Sequence, residues 1–266
     1  MAGLRVREHV FLLRVLVGVG LLVGWEIAAA FFIKPFWISS PIRMAGYFLT
    51  ILKSGELFGH LEVTLLAASS GFIVGAIAGV VFGFLLGEFP VVAYVLEPYI
   101  QAFYGIPRIA LAPLFIIWFG IGIMSKVVLV VLVVFFLVFA NTYSGVKNVD
   151  PALVNVVRIF GGSSWDVIRK VTLPASVPWI VSGLQISVPY ALVGAVTGEF
   201  IASSKGIGYM IALNSNLFFT TGAMTGIVIL AVIVLVASLL IMRLERRLLR
   251  WRPKAAHEEE TIKEVY

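Results

Sequence analysis

The 266-residue chain is 61% hydrophobic and only 13% charged, with a mean hydropathy of +1.05; an average soluble domain has roughly 45–50% apolar and about 25% charged residues. That balance excludes a disordered chain, a nucleic-acid-binding domain and a water-soluble globule, and places the protein in lipid. The net charge of +6 then reports orientation across a membrane, and the absence of cysteine excludes disulfides, thiolate metal sites and cysteine nucleophiles.

A helix needs about 20 mostly apolar residues to cross the hydrocarbon core. Six segments qualify, at about 11–33, 63–87, 99–119, 127–146, 179–201 and 223–242. With spans this long and no β alternation, the expected fold is an all-α membrane protein of six transmembrane helices. Residues 1–252 form its single domain and 253–266 a polar tail containing Glu258-Glu259-Glu260.

At the N-terminus, Arg5, Arg7, an apolar run and Ala28-Ala29-Ala30 imitate a secretory signal. The run exceeds the roughly 7–15 residues usual there, and Glu26 precedes the would-be cleavage site, so a retained first span is expected. Ser39-Ser40-Pro41 supplies a cap and a first-turn proline, and Gly55 a stop. The helix between them carries Ile42, Ala45, Phe48, Leu49 and Leu52 on one face, as a connector lying at the outer interface would. In span two, Gly71, Gly75, Gly79, Gly83 and Gly87 recur every fourth residue, extended by Ala67. Such a stripe lets another helix approach closely, and packing is favoured over a ligand groove.

Span three contains Gly105, Pro107 and Pro113 within nine residues, which must interrupt its hydrogen-bond ladder. Broken helices at membrane depth occur where they are buried in protein or line a pathway. Arg108 sits at this break, at a cost of at least roughly 2.5–3.5 kcal/mol if it lies at mid-bilayer, so it needs a cavity or a partner. Glu199, near the outer end of span five, is the expected partner. Two readings of Arg108 remain open: a structural pair with Glu199 or backbone carbonyls, and attraction of an anionic solute. Pro189, with Gln185 one turn earlier, suggests that span five also faces the pathway.

Residues 147–178 form the longest segment between spans. Asp150-Pro151 begins a short helix that Gly161-Gly162 ends; Ser163 and Asp166 resemble a capping box and begin a second. Leu173-Pro174 and Pro178 are expected to stop that helix before span five. A compact projection of this kind suits a protein partner. No Gly-Lys dipeptide is present, so a Walker-type phosphate loop is absent. His9, His60 and His257 all fall outside the six segments, and neither paired intramembrane carboxylates nor a serine–base set argues for catalysis. The chain is expected to be no enzyme and to hold neither metal nor cofactor.

Orientation follows from the basic residues. With both termini cytoplasmic, Arg5, Arg7, Arg14, Lys147, Arg158, Arg169, Lys170 and the basic C-terminal run lie inside. Only Lys34, Arg43, Lys53, Lys126 and Lys205 are then left outside.

Nine residues separate Gly161 from Val171-Thr172-Leu173-Pro174, a pattern that resembles the cytoplasmic E-A-A-x-x-x-G-x(9)-I-x-L-P loop of binding-protein-dependent ABC importer permeases. Asn155 replaces the glutamate, Val156 and Val157 the alanines, and Val171 the isoleucine. Ile106-Pro107, Pro113-Leu114, Trp118-Phe119-Gly120-Ile121-Gly122, Ser125-Lys126, Asn141-Thr142, Val149-Asp150, Gly183-Leu184, Glu199, Gly206-Ile207-Gly208, Leu244-Glu245-Arg246 and Trp251 are similar to the nitrate/sulfonate/taurine branch. The likeness covers roughly residues 40–252. It implies a type I importer permease of the bacterial plasma membrane, paired with a second, identical copy. Two partner subunits would bind and hydrolyse ATP with Mg, gripping a coupling helix formed by Asn155, Gly161, Gly162, Ser163, Trp165, Asp166, Leu173 and Pro174. A soluble or lipid-anchored binding protein would deliver a small, anionic solute to a pathway near Pro107, Arg108, Pro113, Gln185 and Glu199. Alternatives are a secondary transporter, which would show an internal repeat and an intramembrane acidic ion site; an importer of a neutral vitamin precursor; and a membrane scaffold, which would not need a broken third span.

Overall fold

The computed structural model describes the backbone of residues 2–248 and the side chains of residues 10 and 12–247. The tail, with Trp251, His257 and the basic residues beyond Arg247, lies outside the described residues, as do the side chains of Arg5, Arg7 and His9. Among the described residues eleven α-helices follow in chain order: α1 Ala2–Phe31, α2 Pro41–Lys53, α3 Glu56–Glu88, α4 Pro90–Gly105, α5 Ala112–Phe119, α6 Ile123–Lys147, α7 Pro151–Ile159, α8 Ser164–Val167, α9 Leu173–Ile201, α10 Ile207–Asn216 and α11 Thr220–Leu248. No strand occurs among the described residues.

Five of these are long and apolar enough to span a membrane, and α4 with the Arg108–Phe119 segment makes a sixth, bent by 79°. The all-α, six-span architecture is therefore observed. Every span except the first extends beyond its expected bounds. His60, placed outside the spans by sequence, is a buried residue of α3. The third span starts at Pro90 rather than near Tyr99, so Glu97 belongs to it as well. Pro107 and Pro113 lie at the ends of a short 3-10 turn and in the first turn of α5, where a missing N–H costs little.

The core is three helices thick. Gly71 to Gly87 of α3 face α6 so closely that an added Cβ at Gly75, Gly79 or Gly83 would lie 2.7–2.9 Å from the carbonyl oxygens of Val131, Phe135 and Phe139. Ala67, Ala68 and Ala76 of α3, Val130, Val134 and Val138 of α6, and Ala191, Leu192 and Ala195 of α9 form the buried centre. Small residues and β-branched valines let the backbones meet where no hydrophobic driving force separates protein from lipid. A second cluster joins Ile51 of α2, Leu57 of α3, Ile207, Met210 and Ile211 of α10 and Ile229 of α11.

α1 runs through Ala28–Ala30 as one helix to Phe31. Glu26 accepts a hydrogen bond from the Ile42 amide at 3.0 Å, capping the positive end of α2 and fastening α1 to it. Ser40 caps α2 and Pro41 opens it, as expected from sequence.

One expectation fails between spans four and five. Leu173-Pro174 and Pro178 do not stop the helix; Ser164–Ile201 is a continuous 38-residue helix. The chain widens into a π-turn at Ile168–Thr172. That relaxes the ladder where Pro174 supplies no N–H and its ring crowds the carbonyl four residues back. Near Pro189, the Ser187 hydroxyl bonds the Leu184 carbonyl at 2.9 Å.

Candidate functional site: a broken span, a polar anchor and a capped projection

The functional features fall in three places. The first is the bend of span three. Arg108 does not meet Glu199, contrary to the sequence expectation. Its guanidinium carbon lies 4.7 Å from the Phe136 ring centroid and 5.4 Å from that of Tyr104. Its Nε is buried without a hydrogen-bond partner among the described residues. Aromatic faces offset part of the cost of a cation in a dry environment, and the unmatched N–H leaves hydrogen-bonding capacity at the break. Tyr104 is itself held by a 2.9 Å bond from its hydroxyl to the Phe136 carbonyl.

The second is a buried polar anchor at the C-terminal end of α9. Glu199, 1% exposed, accepts from the Thr64 hydroxyl at 2.8 Å and from the Gly208 amide at 2.7 Å. Thr64 in turn accepts from the Ile207 amide at 2.8 Å, and His60 Nδ1 accepts from the Gly206 amide at 3.1 Å. The orphan amides at the start of α10 are thus taken by three side chains, two from α3 and one from α9, with a carboxylate at the positive end of the helix dipole. Gly206 has φ of +123° and its position faces the Glu199 carboxyl, so neither the backbone nor the space admits a side chain. Lys126, counted from sequence as an outer-loop cation, is 4% exposed. Its stem packs on Gly198 and its ammonium donates to Ser203 at 2.6 Å. His60, Thr64 and Lys126 were not legible as site residues, because nothing local in the sequence joins them to Glu199.

Gln185 is not paired with a pathway group. It donates to Glu245 of α11 at 2.5 Å, tying α9 to α11.

The third is the projection. Asp150 caps α7 through the Ala152 amide at 2.8 Å. Gly161, at φ of +77°, ends α7; the Gly161 and Gly162 amides bond the carbonyls of Arg158 and Val157 in a Schellman arrangement. Ser163 and Asp166 form the reciprocal capping box that starts α8. Asp166 also pairs with Lys170 at 2.6 Å; that ammonium first, and Ser163 second, hold its carboxyl well below the usual carboxylate range. The elbow is capped at both of its helices, yet Ile159, Phe160 and Trp165 are 81%, 86% and 67% exposed. Asn155 and Leu173 lie along the same stretch.

A bent third span, a polar anchor and an apolar-tipped elbow are thus carried on one six-span, all-α membrane bundle. The chain belongs to the binding-protein-dependent transport system inner membrane component family, whose profile matches residues 71–252. It is 37% identical over 215 residues to a putative aliphatic sulfonates transport permease protein of Bacillus subtilis, covering 81% of this chain and 78% of that one. It is 32% identical to the formylaminopyrimidine transport permease protein of Halalkalibacterium halodurans (88% and 93% covered) and 30% identical to the taurine transport system permease protein of Escherichia coli (87% and 86%). Among solved structures, an amino acid ABC transporter matches with a TM-score of 0.61 at 20% identity, covering 75% of this chain and 98% of that chain. The methionine ABC transporter in an inward-facing conformation matches at 0.59 and 18%, covering 75% and 97%. At such identities the structural likeness speaks for the fold. The protein is a multi-pass membrane permease component of an ABC importer.

Proposed function

We propose that the chain forms half of the translocation pathway of an ATP-driven importer, pairing with a second copy of itself, with both termini cytoplasmic. A partner ATPase holds the Gly161–Pro174 elbow, and a binding protein delivers solute at the α10 side. The observation that carries this reading is the elbow: a capped turn presenting Ile159, Phe160 and Trp165 to solvent. Large apolar side chains fixed on a polar projection mark a protein contact. ATP closure would draw two such elbows together and rock the spans around the break near Pro107 and Arg108.

The solute is small and carries an anionic group. The buried Arg108 Nε without a partner supports this, as do the relatives named for sulfonates and taurine. A neutral vitamin precursor is the second reading, supported by the relatives named for formylaminopyrimidine and riboflavin and by the aromatic Tyr104–Phe136 surface at the break.

The test replaces Phe160 and Trp165 together by Asp and asks whether the ATPase subunit still co-purifies. Loss of co-purification and of ATP-dependent uptake, with unchanged permease yield, is expected. An intact, active complex would overturn the coupling role.

A further inference from the structure

α1 is fastened to the bundle near its C-terminal end. Within its described part Ala29 alone is buried, and Glu26 accepts the Ile42 amide at 3.0 Å. The connection that follows is tied to the start of α11: the Thr220 hydroxyl donates to the Phe36 carbonyl at 2.5 Å, and Ser39 shares a 2.8 Å hydrogen bond with Thr221. Beside this fastened connection, α1, α2, α3 and α11 enclose a groove of about 590 Å³, well within the roughly 300–1,000 Å³ of ligand sites. Leu22, Trp25, Phe48, Leu61, Val232 and Ile233 are among the side chains that line it.

Three features fit this groove to a lipid. Its wall is apolar: the one hydroxyl on it, that of Thr225, donates to the Thr221 carbonyl at 2.7 Å, and a cavity without free polar partners does not hold water. Its depth is that of about one leaflet. It lies where α1 ends and where α3 and α11 begin, and Ile233 is about 20 Å along α11 from Thr220 at about 1.5 Å per residue, against about 15 Å for half of a hydrocarbon core. Its rim is cationic. Lys34, Arg43 and Lys53 are exposed, Arg43 and Lys53 adjoin the lining residues Met44 and Leu52, and no acidic residue occurs between Glu26 and Glu56. Trp25 adds an indole of the amphipathic kind that sits at headgroup level. A second copy meeting this face with its own would set the same cations against each other.

We propose that the groove is a binding site for an anionic phospholipid. One acyl chain lies between α1 and the wall made by α3 and α11, and the phosphate lies among Lys34, Arg43 and Lys53. The lipid supplies α1 with packing that the chain itself gives it only at Ala29. The site lies apart from the break at Arg108 and is independent of the importer reading.

The test places the permease in nanodiscs of phosphatidylcholine and adds phosphatidylglycerol or phosphatidylcholine bearing the same dibrominated acyl chains, which quench indole fluorescence on contact. The Trp25 signal is the difference between the parent and Trp25→Phe. Brominated phosphatidylglycerol is expected to reach half-maximal quenching at a mole fraction at least about fivefold below that of brominated phosphatidylcholine, which is the worth of one basic residue near an anionic headgroup. Lys34→Gln, Arg43→Gln and Lys53→Gln together should erase that preference, and the three changes to the other basic residue, Lys34→Arg, Arg43→Lys and Lys53→Arg, should keep it. Val228→Phe, which narrows the groove, should lower the quenching by both lipids. Equal half-maximal fractions for the two lipids in the parent would overturn the inference, as would a Val228→Phe permease quenched as fully as the parent. Because the chain has no cysteine, Val228→Cys reports the other occupant. A disulfide between two copies, with Trp25 quenched by neither lipid, would give the groove to a second copy and overturn the lipid site.

Discussion

Thr64 and Glu199 stand 135 residues apart in the chain and share a fully buried 2.8 Å hydrogen bond. The same Thr64 oxygen accepts from the Ile207 amide, and the same carboxylate from Gly208. One hydroxyl and one carboxylate therefore fasten α3, α9 and the start of α10 together.

Replacing Thr64 with Val keeps the shape and removes the hydroxyl, stranding a carboxylate oxygen and an amide in a dry site. Each unsatisfied group costs about 1–3 kcal/mol. Thermal unfolding in detergent should show a clear loss of stability, with Thr64→Ser close to the parent. A Thr64→Val protein as stable as the parent would mean that water replaces the hydroxyl.

The glycine row offers a comparison within a single helix. A Cβ at Gly79 would lie 2.9 Å from both the Phe135 carbonyl and Val138 Cβ, whereas at Gly59 it meets nothing within 4 Å. Gly79→Ala should destabilise by about 1–3 kcal/mol through overpacking, and Gly79→Leu should abolish accumulation in the membrane. Gly59→Ala should be neutral or slightly stabilising. Folded yield of the three variants checks the order.

Acid should loosen the elbow. The Asp166 carboxyl is depressed in the folded protein by Lys170 and Ser163. Its contribution is therefore complete above the ordinary aspartate value of about 4 and is lost as pH falls from there toward the folded value. Amide exchange at Ser163 and Asp166, corrected for intrinsic rates, should accelerate relative to the rest of the chain on acidification. Asp166→Asn should already show the faster exchange at neutral pH and lack the acid step.

Arg108 separates structure from transport. Its Nε contributes no hydrogen bond and its guanidinium rests on aromatic rings. Arg108→Leu should thus cost folding no more than the roughly 0.5–2 kcal/mol of a cation–π contact. Uptake of a sulfonate by the assembled importer should fall at least tenfold, the consequence of about 1.4 kcal/mol. Uptake of a neutral solute should be spared; an equal decline of both would assign Arg108 to structure alone.

Much of this protein was legible in sequence because the bilayer imposes local rules. Backbone groups must pair within a segment, so run length and hydropathy place six spans. Glycine spacing identifies a helix that must pack tightly, and Ser163 with Asp166 writes a capping box within four residues. Proline was the misleading local signal. Pro107 and Pro113 mark a true break, but Pro174 and Pro178 sit inside a continuous helix, with a π-turn just before Pro174. What only the tertiary structure decided is which buried polar groups meet. Glu199 was expected to pair with Arg108 because both are charged and intramembrane. It is instead saturated by Thr64 and Gly208, while Arg108 rests on Tyr104 and Phe136. Glu97 and Lys147 likewise come to line one cavity although 50 residues separate them in the chain. A charge in a span announces from sequence that it needs company. Which company it finds depends on the packing of distant helices, and no local pattern encodes that.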